Sequence, residues 1–95
     1  MFRTENMYTY LELDTRTGRI WQVSFAVSKD AVRAKFFINS EALATTPEDG
    51  RFTLYPTDNM WTFILVDQVA GNVWQAQFSM DRSEGRFIIP IPLRE

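Results

Sequence analysis

The sequence predicts an all-β protein: two pseudo-symmetric antiparallel meander units of three to four strands, packed as a small sandwich or barrel. Three observations predict it. Apolar and polar side chains alternate with the two-residue period of half-buried strands. Each alternating run stops at a cluster of turn-forming residues. The chain also repeats itself at a constant spacing of 53 positions: Asn6, Met7, Thr9, Asp14, Gly18, Trp21, Gln22 and Phe25 recur as Asn59, Met60, Thr62, Asp67, Gly71, Trp74, Gln75 and Phe78. Tyr8/Trp61, Tyr10/Phe63, Leu11/Ile64, Leu13/Val66 and Ile20/Val73 keep size and chemistry. One domain, 1–95, is expected, with repeats at about 4–39 and 51–91 joined by a connector at 40–50.

Residues 7–13 read as the first strand, with Met7, Thr9, Leu11 and Leu13 on one face and Tyr8, Tyr10 and Glu12 on the other. In the run from Asp14 to Gly18, an Asp side chain favours turn initiation. A Gly four residues on supplies a positive φ, closing a four-residue hairpin loop. The second copy, Asp67 to Gly71, retains only those two residues. On the return strand, Trp21, Val23, Phe25 and Val27 are expected to face the core, and Gln22, Ser24, Ala26 and Ser28 solvent. Trp74, Ala76, Phe78 and Met80 are expected to face in likewise, with Gln75, Gln77, Ser79 and Asp81 facing out.

A third strand follows each hairpin, at about 33–39 and 86–91. Phe36, Phe37 and Ile38 align there with Phe87, Ile88 and Ile89 if the second link is two residues shorter. Ser40 to Leu43 reads either as a helical turn capped by Ser40 or as continued strand. Pro47 to Gly50 is a turn, and residues 51–55 form a strand stopped by Pro56. Its N-terminal counterpart is at most a stub, Met1 to Arg3. Pro90 and Pro92 place the last strand at a sheet edge. On these assignments Trp21→Ala and Trp74→Ala each cost about 3–5 kcal/mol.

With 45% hydrophobic residues, the chain can fill a core without disulfides or metal. It has no Cys and no His, which excludes thiol nucleophiles, Cys/His zinc sites and the usual general base near neutrality. A net charge of −2 with dispersed Lys and Arg predicts no nucleic-acid partner. No stretch approaches a membrane span, and the N-terminus lacks the apolar segment of a signal peptide. A cytoplasmic location, no membrane contact and no cofactor are expected.

The segment from Leu11 to Trp21, carrying Asp14, Thr17, Gly18 and Trp21, resembles the D-x-x-T-G-x-x-W hairpin of quinoprotein-type β-propeller blades. No cofactor-binding residue lies in the matched stretch, and two units are fewer than a propeller of four or more blades needs. Over most of its length the chain is similar to small bacterial proteins of unassigned function. These carry tandem N-M-[WY]-T-[YF] … D-x-x-x-G-x-x-W-Q hairpins, a resemblance that implies a family of this shape and no activity.

Candidate sites are few. Asp14 and Asp67 occupy equivalent positions, so a two-carboxylate site is one reading and paired turn residues the other. Asp30, Asp81 and Glu84 read as solvated loop charges. Lys29 and Lys35, the only lysines, lie in no activating motif. Arg16 disfavours calcium in the loop from Asp14 to Gly18. Tyr8, Tyr10, Trp61 and Phe63, with Gln22 and Gln75, read either as core and interface residues or as a glycan- or peptide-binding face. Asp14, Gly18, Trp21, Phe25, Asp67, Gly71, Trp74 and Phe78 read as structural. Strands apolar on both sides in the second unit point to burial under the connector or to a homodimer seam. The sequence therefore favours a non-catalytic interaction or accessory module, a homodimer or bound to another protein. A glycan- or peptide-binding module is the alternative.

Overall fold

Strand-forming residues at a two-residue period, cut by Asp-to-Gly loops, fold into two separate meanders. The computed structural model describes residues 1–4, 8–26, 33–80 and 82–94. The first sheet contains β1 (Phe2–Arg3), β2 (Thr9–Leu13), β3 (Ile20–Ser24) and β4 (Ala34–Asn39). The second contains β5 (Phe52–Pro56), β6 (Thr62–Asp67), β7 (Val73–Gln77) and β8 (Phe87–Pro90), with a 3₁₀ turn at Ser83–Gly85 before β8. Each sheet is ordered as in the chain and every neighbouring pair is antiparallel. The two pack as a sandwich, so of the two architectures expected the barrel does not form. The expected stub is present as β1, and Pro90 sits in the edge strand β8. Asn6, Met7, Val27, Ser28 and Asp81 lie outside the described residues.

The repeat is visible bond by bond. The Asp14 amide donates to the Arg19 carbonyl and the Gly18 amide to the Asp14 carbonyl, each at 2.9 Å. In the second loop the Asp67 amide donates to the Asn72 carbonyl at 2.9 Å and the Gly71 amide to the Asp67 carbonyl at 2.8 Å. Both glycines adopt the positive φ that the loop needs, +87° and +81°. The Thr4 hydroxyl donates to the Thr9 carbonyl at 2.7 Å, and Thr57 does the same to Thr62 at 2.9 Å.

The fourth strands correct the alignment expected from sequence. Val23 pairs with Lys35 and Trp21 with Phe37, while Ala76 pairs with Ile88 and Trp74 with Pro90. The spacing of 53 is thus kept through β8, the links are equal in length, and Phe36 corresponds to Ile89. Backbone register, interrupted in the first sheet by an irregularity at Ile20/Trp21, decides this rather than the likeness of two apolar runs. Arg33 and Arg86 thereby become another identical pair.

The connector is neither helical turn nor strand at Ser40 to Leu43. The buried Asn39 side chain donates to the carbonyls of Gly18 and Glu41 at 2.9 and 2.8 Å and accepts from the Glu41 amide. The Leu43 amide then donates to the Thr17 carbonyl at 2.7 Å. This holds Leu43 over Gly18, where a Cβ would meet the Leu43 Cδ1 at 2.9 Å.

The sheets stack front to back. Let the front of each unit be the face carrying Tyr10 and Val23, or their counterparts Phe63 and Ala76; these lie opposite each other across the hairpins. The second sheet turns its front to the core: Phe63, Ala76 and Phe78 are at most 3% exposed. The first sheet turns its back: Leu11, Ile20 and Gln22 have no exposed surface, while Tyr8 and Phe25 lie open on its front. The expectation for the first return strand is therefore reversed, and Trp21 and Phe25 are not core residues.

A buried amide requires partners, since an unsatisfied polar group costs about 1–3 kcal/mol, and Gln22 has them. Its Oε1 accepts from Arg86 Nε at 2.9 Å, and its Nε2 contacts Ser24 Oγ at 3.4 Å and Met80 Sδ at 3.7 Å. Arg86 also lies 4.1 Å from the centroid of the Phe36 ring. The remaining core is Leu11, Ile20 and Ile38 against Phe52, Leu54, Leu65 and Phe78.

Equivalent phenylalanines thus have unequal worth. In dilute protein, chemical denaturation of Phe78→Ala shows a loss of about 3–5 kcal/mol, whereas Phe25→Ala loses about 1 kcal/mol. Equal losses contradict front-to-back stacking.

Candidate functional site: the open front of the first sheet

Cross-strand pairing in β2, β3 and β4 brings a row of aromatics onto the uncovered front. The Tyr10 ring stacks on Phe25 with centroids 5.8 Å apart, and Tyr8 meets Phe25 edge-on at 6.0 Å. Trp21, paired with Phe37 across β3 and β4, lies 5.5 Å from its ring. The Lys35 ammonium sits 4.8 Å from the centroid of the Trp21 ring and pairs with the Glu12 carboxylate. These two charges offset one another, and Arg3, opposite Tyr10 in the β1–β2 ladder, is a further cation on the same face. Tyr8 is 40% exposed and Phe37 53%, so the face offers both flat apolar area and phenolic hydroxyls.

The six ligand candidates do not form one site. Tyr8 and Tyr10 are on this front. Trp61 and Phe63 occupy the corresponding places on the second sheet, with Phe78 at 5.1 and 6.4 Å from their rings, and Phe63 is core. Gln22 is buried between the sheets. Gln75 lies on the back of the second sheet, donating to Gln77 Oε1 at 3.2 Å, an oxygen that also accepts from the Thr62 hydroxyl at 2.8 Å. Trp21 and Phe25, which sequence reading assigned to the core, and Phe37 and Lys35, to which it gave no face, also belong to this front. Residues paired across a hairpin share a face, and a four-residue loop after Asp14, closed by Asp14 and Arg19, sets Glu12 opposite Trp21; that signal is present in the sequence.

The carboxylates have structural partners. Asp67 is buried, accepts from Arg51 Nε and Nη2 at 2.9 Å each, and accepts from the Val69 and Ala70 amides at 3.0 and 3.1 Å. The Arg51 guanidinium, opposed by burial and helped by these amides, holds its pKa below the usual carboxylate range. The same bond raises the pKa of Arg51. At Asp14, burial pushes the carboxyl up, but hydrogen bonds from the Thr17 side chain and the amides of Arg16 and Thr17 outweigh it and leave the pKa lowered. Glu84 is exposed beside Arg82; Lys29, Asp30 and Asp81 lie outside the described residues.

A cleft of about 590 Å³, lined by Thr4, Thr9, Tyr10, Thr62 and Phe63, has Arg3 as its charged side chain among the described residues. A second, of about 550 Å³ beside Trp61, Phe78 and Met80, is lined by no charged group among the described residues. Among the described residues no group of three or more acidic side chains is placed to hold a metal ion.

Because the folded-state pKa of Asp67 lies below the ordinary value of about 3.9, its contribution is complete above that value. It is lost as pH falls through the lower, folded-state pKa. Asp67→Asn is expected to lose about 3 kcal/mol at pH 7 by leaving Arg51 without its charge partner. Acid unfolding followed by indole fluorescence is then less steep than in the parent. Compared with known proteins, the chain matches no family model, no curated protein and no solved structure.

Proposed function

We propose that the chain is a non-catalytic interaction module and that the open front of its first sheet is the surface on which a protein partner docks. One observation carries this reading. The rings of Tyr8, Tyr10 and Phe25 touch one another at the same positions of the repeat as those of Trp61, Phe63 and Phe78, yet Tyr8 and Phe25 are exposed whereas Phe63 and Phe78 are buried beneath a sheet. Contiguous exposed aromatics of this kind mark interaction sites on soluble proteins, and Tyr, Trp and Phe are the residues enriched there. With Glu12 offset by Lys35, the described residues of this face carry the scattered cations Arg3 and Arg33 rather than a concentrated basic surface, which supports a protein partner over nucleic acid. The engaged carboxylates and the sparsely charged clefts support a role without acid–base chemistry. A reducing cytoplasmic setting is consistent with a chain that has no Cys.

A second reading, a glycan- or peptide-binding module, is favoured by the stacked Tyr10 and Phe25 rings beside the half-buried Trp21 and the exposed Phe37. Immobilised protein incubated with lysate of the source cells tests the first. The interaction reading expects proteins, copies of this chain included, that are retained by the parent and released by Phe37→Glu, an exposed position where folding is preserved. Retention unaffected by Phe37→Glu overturns it. Indole fluorescence that shifts on titration with sugars or peptides, and not after Phe37→Glu, selects the second.

A further inference from the structure

We infer that the partner of the open front is the back of the second sheet of another copy of this chain, so that copies stack head to tail. The inference deepens the interaction reading and rests on it. Its template is the interface inside the molecule, where a front of one unit covers the back of the other. Each chain is left with one uncovered front and one uncovered back, and these are the sequence counterparts of the two faces already joined.

The backs correspond closely. The covered back presents Thr9, Leu11, Ile20 and Gln22; the uncovered back presents Thr62, Ile64, Val73 and Gln75. Two of the four are identical and the other two remain aliphatic. The uncovered back carries no charged side chain at its strand positions, and apolar groups continue to its rim, where Tyr55 and Ile89 are each 52% exposed. The fronts correspond through the two aromatic trios.

A polar contact sets the register. Inside the molecule, Arg86 of the covering unit donates to Gln22 of the covered back at 2.9 Å. The spacing of 53 makes Arg33 the counterpart of Arg86 and Gln75 that of Gln22. Each arginine also bonds the chain just after its own return strand, at positions one residue out of step in the repeat: Arg86 donates to the Met80 carbonyl at 3.3 Å and Arg33 to the Ala26 carbonyl, the counterpart of Ser79, at 3.2 Å. In the stack, Arg33 of one copy reaches Gln75 of the next. A front-to-front dimer, by contrast, sets two Glu12–Lys35 pairs against each other and leaves the apolar back uncovered.

Such an interface is heterologous, so it closes into a ring or runs on as a filament. Closed arrays of four-stranded sheets hold about four to eight of them; with two sheets per copy, a ring takes two to four copies.

Sedimentation velocity on purified protein decides the matter, using Phe25→Glu to block the front and Ile64→Glu to block the back. Ile89→Glu is the substitute should circular dichroism show that Ile64→Glu is unfolded. The parent is expected to gain mass with concentration and each variant alone to remain monomeric. An equimolar mixture of the two forms a 1:1 pair, because each retains the face that the other lacks. Arg33→Glu weakens association at least tenfold, and adding Gln75→Arg in the same chain restores it. A back-blocked variant that associates like the parent, or a mixture that stays monomeric, overturns the stack. A parent that is monomeric throughout overturns it as well. The interaction reading survives any of these results if Phe37→Glu still releases a bound protein, and falls separately if it does not.

Discussion

The amide of Gln22, enclosed between two sheets, fixes how this molecule is put together. With no contact to water, it must find its partners within the protein, and two of them, Arg86 and Met80, come from the opposite sheet. Only a stack that brings the front of the second unit over the back of the first supplies both. Once that is set, the rest follows. Phe63 and Phe78 become core, Phe36 gains a guanidinium over its ring, and the first sheet's own aromatic face is turned outward. A glutamine that looks like a solvent-facing residue in a simple alternation is the polar key of the interior.

Much of the architecture is legible in the sequence alone. The spacing of 53 placed both hairpins, the Asp and Gly of each loop located a turn with positive φ, and the short segment before Thr4 announced a stub strand. The choice of face was not legible in the same way. A two-residue period separates a strand into two rows without stating which row is buried. Assigning the row with Trp21 and Phe25 to the core follows size and hydrophobicity. What overrides them at Gln22 is a partner 64 positions away, Arg86, invisible to local pattern. The fourth strands show the same limit, because Phe36 and Phe87 look alike whereas ladder register makes Ile89 the counterpart of Phe36. Of the candidate site, the sequence sets Tyr8 and Tyr10 on one face with Glu12 without stating whether that face is core, interface or open. Trp61 and Phe63 were grouped with them correctly as counterparts, but equivalence in the repeat meant opposite exposure rather than a shared surface.

The two loops show how duplicated parts took different work. Each Asp folds its own turn, but Asp67 also receives Arg51, which follows the connector, and Arg51 reaches the Thr46 carbonyl at 2.9 Å. The first loop is fastened from outside instead: the Phe52 amide donates to the Thr15 carbonyl at 2.8 Å, and Arg16 pairs with Asp49 at the surface. Exposed pairs of that kind contribute at most about 1 kcal/mol, so the first loop depends more on Leu43 and Phe52 packed around Gly18. The connector thus clasps both hairpin loops at one end of the sandwich.

Likeness between the halves has a kinetic side. Neighbouring strands of each meander are joined by short links, which favours rapid local pairing, but repeats this similar can also pair with each other while folding. A β2 that zipped onto β7 would satisfy the same backbone ladder and set Glu12 beside Trp74, with the carboxylate directed toward the second unit's apolar interior. Lys35 exchanged for Ile88 would meet a similar fate. The charged pair on one unit, and the leucine and isoleucine that replace it in the other, therefore act as a proofreading device that discourages strands from joining the wrong half.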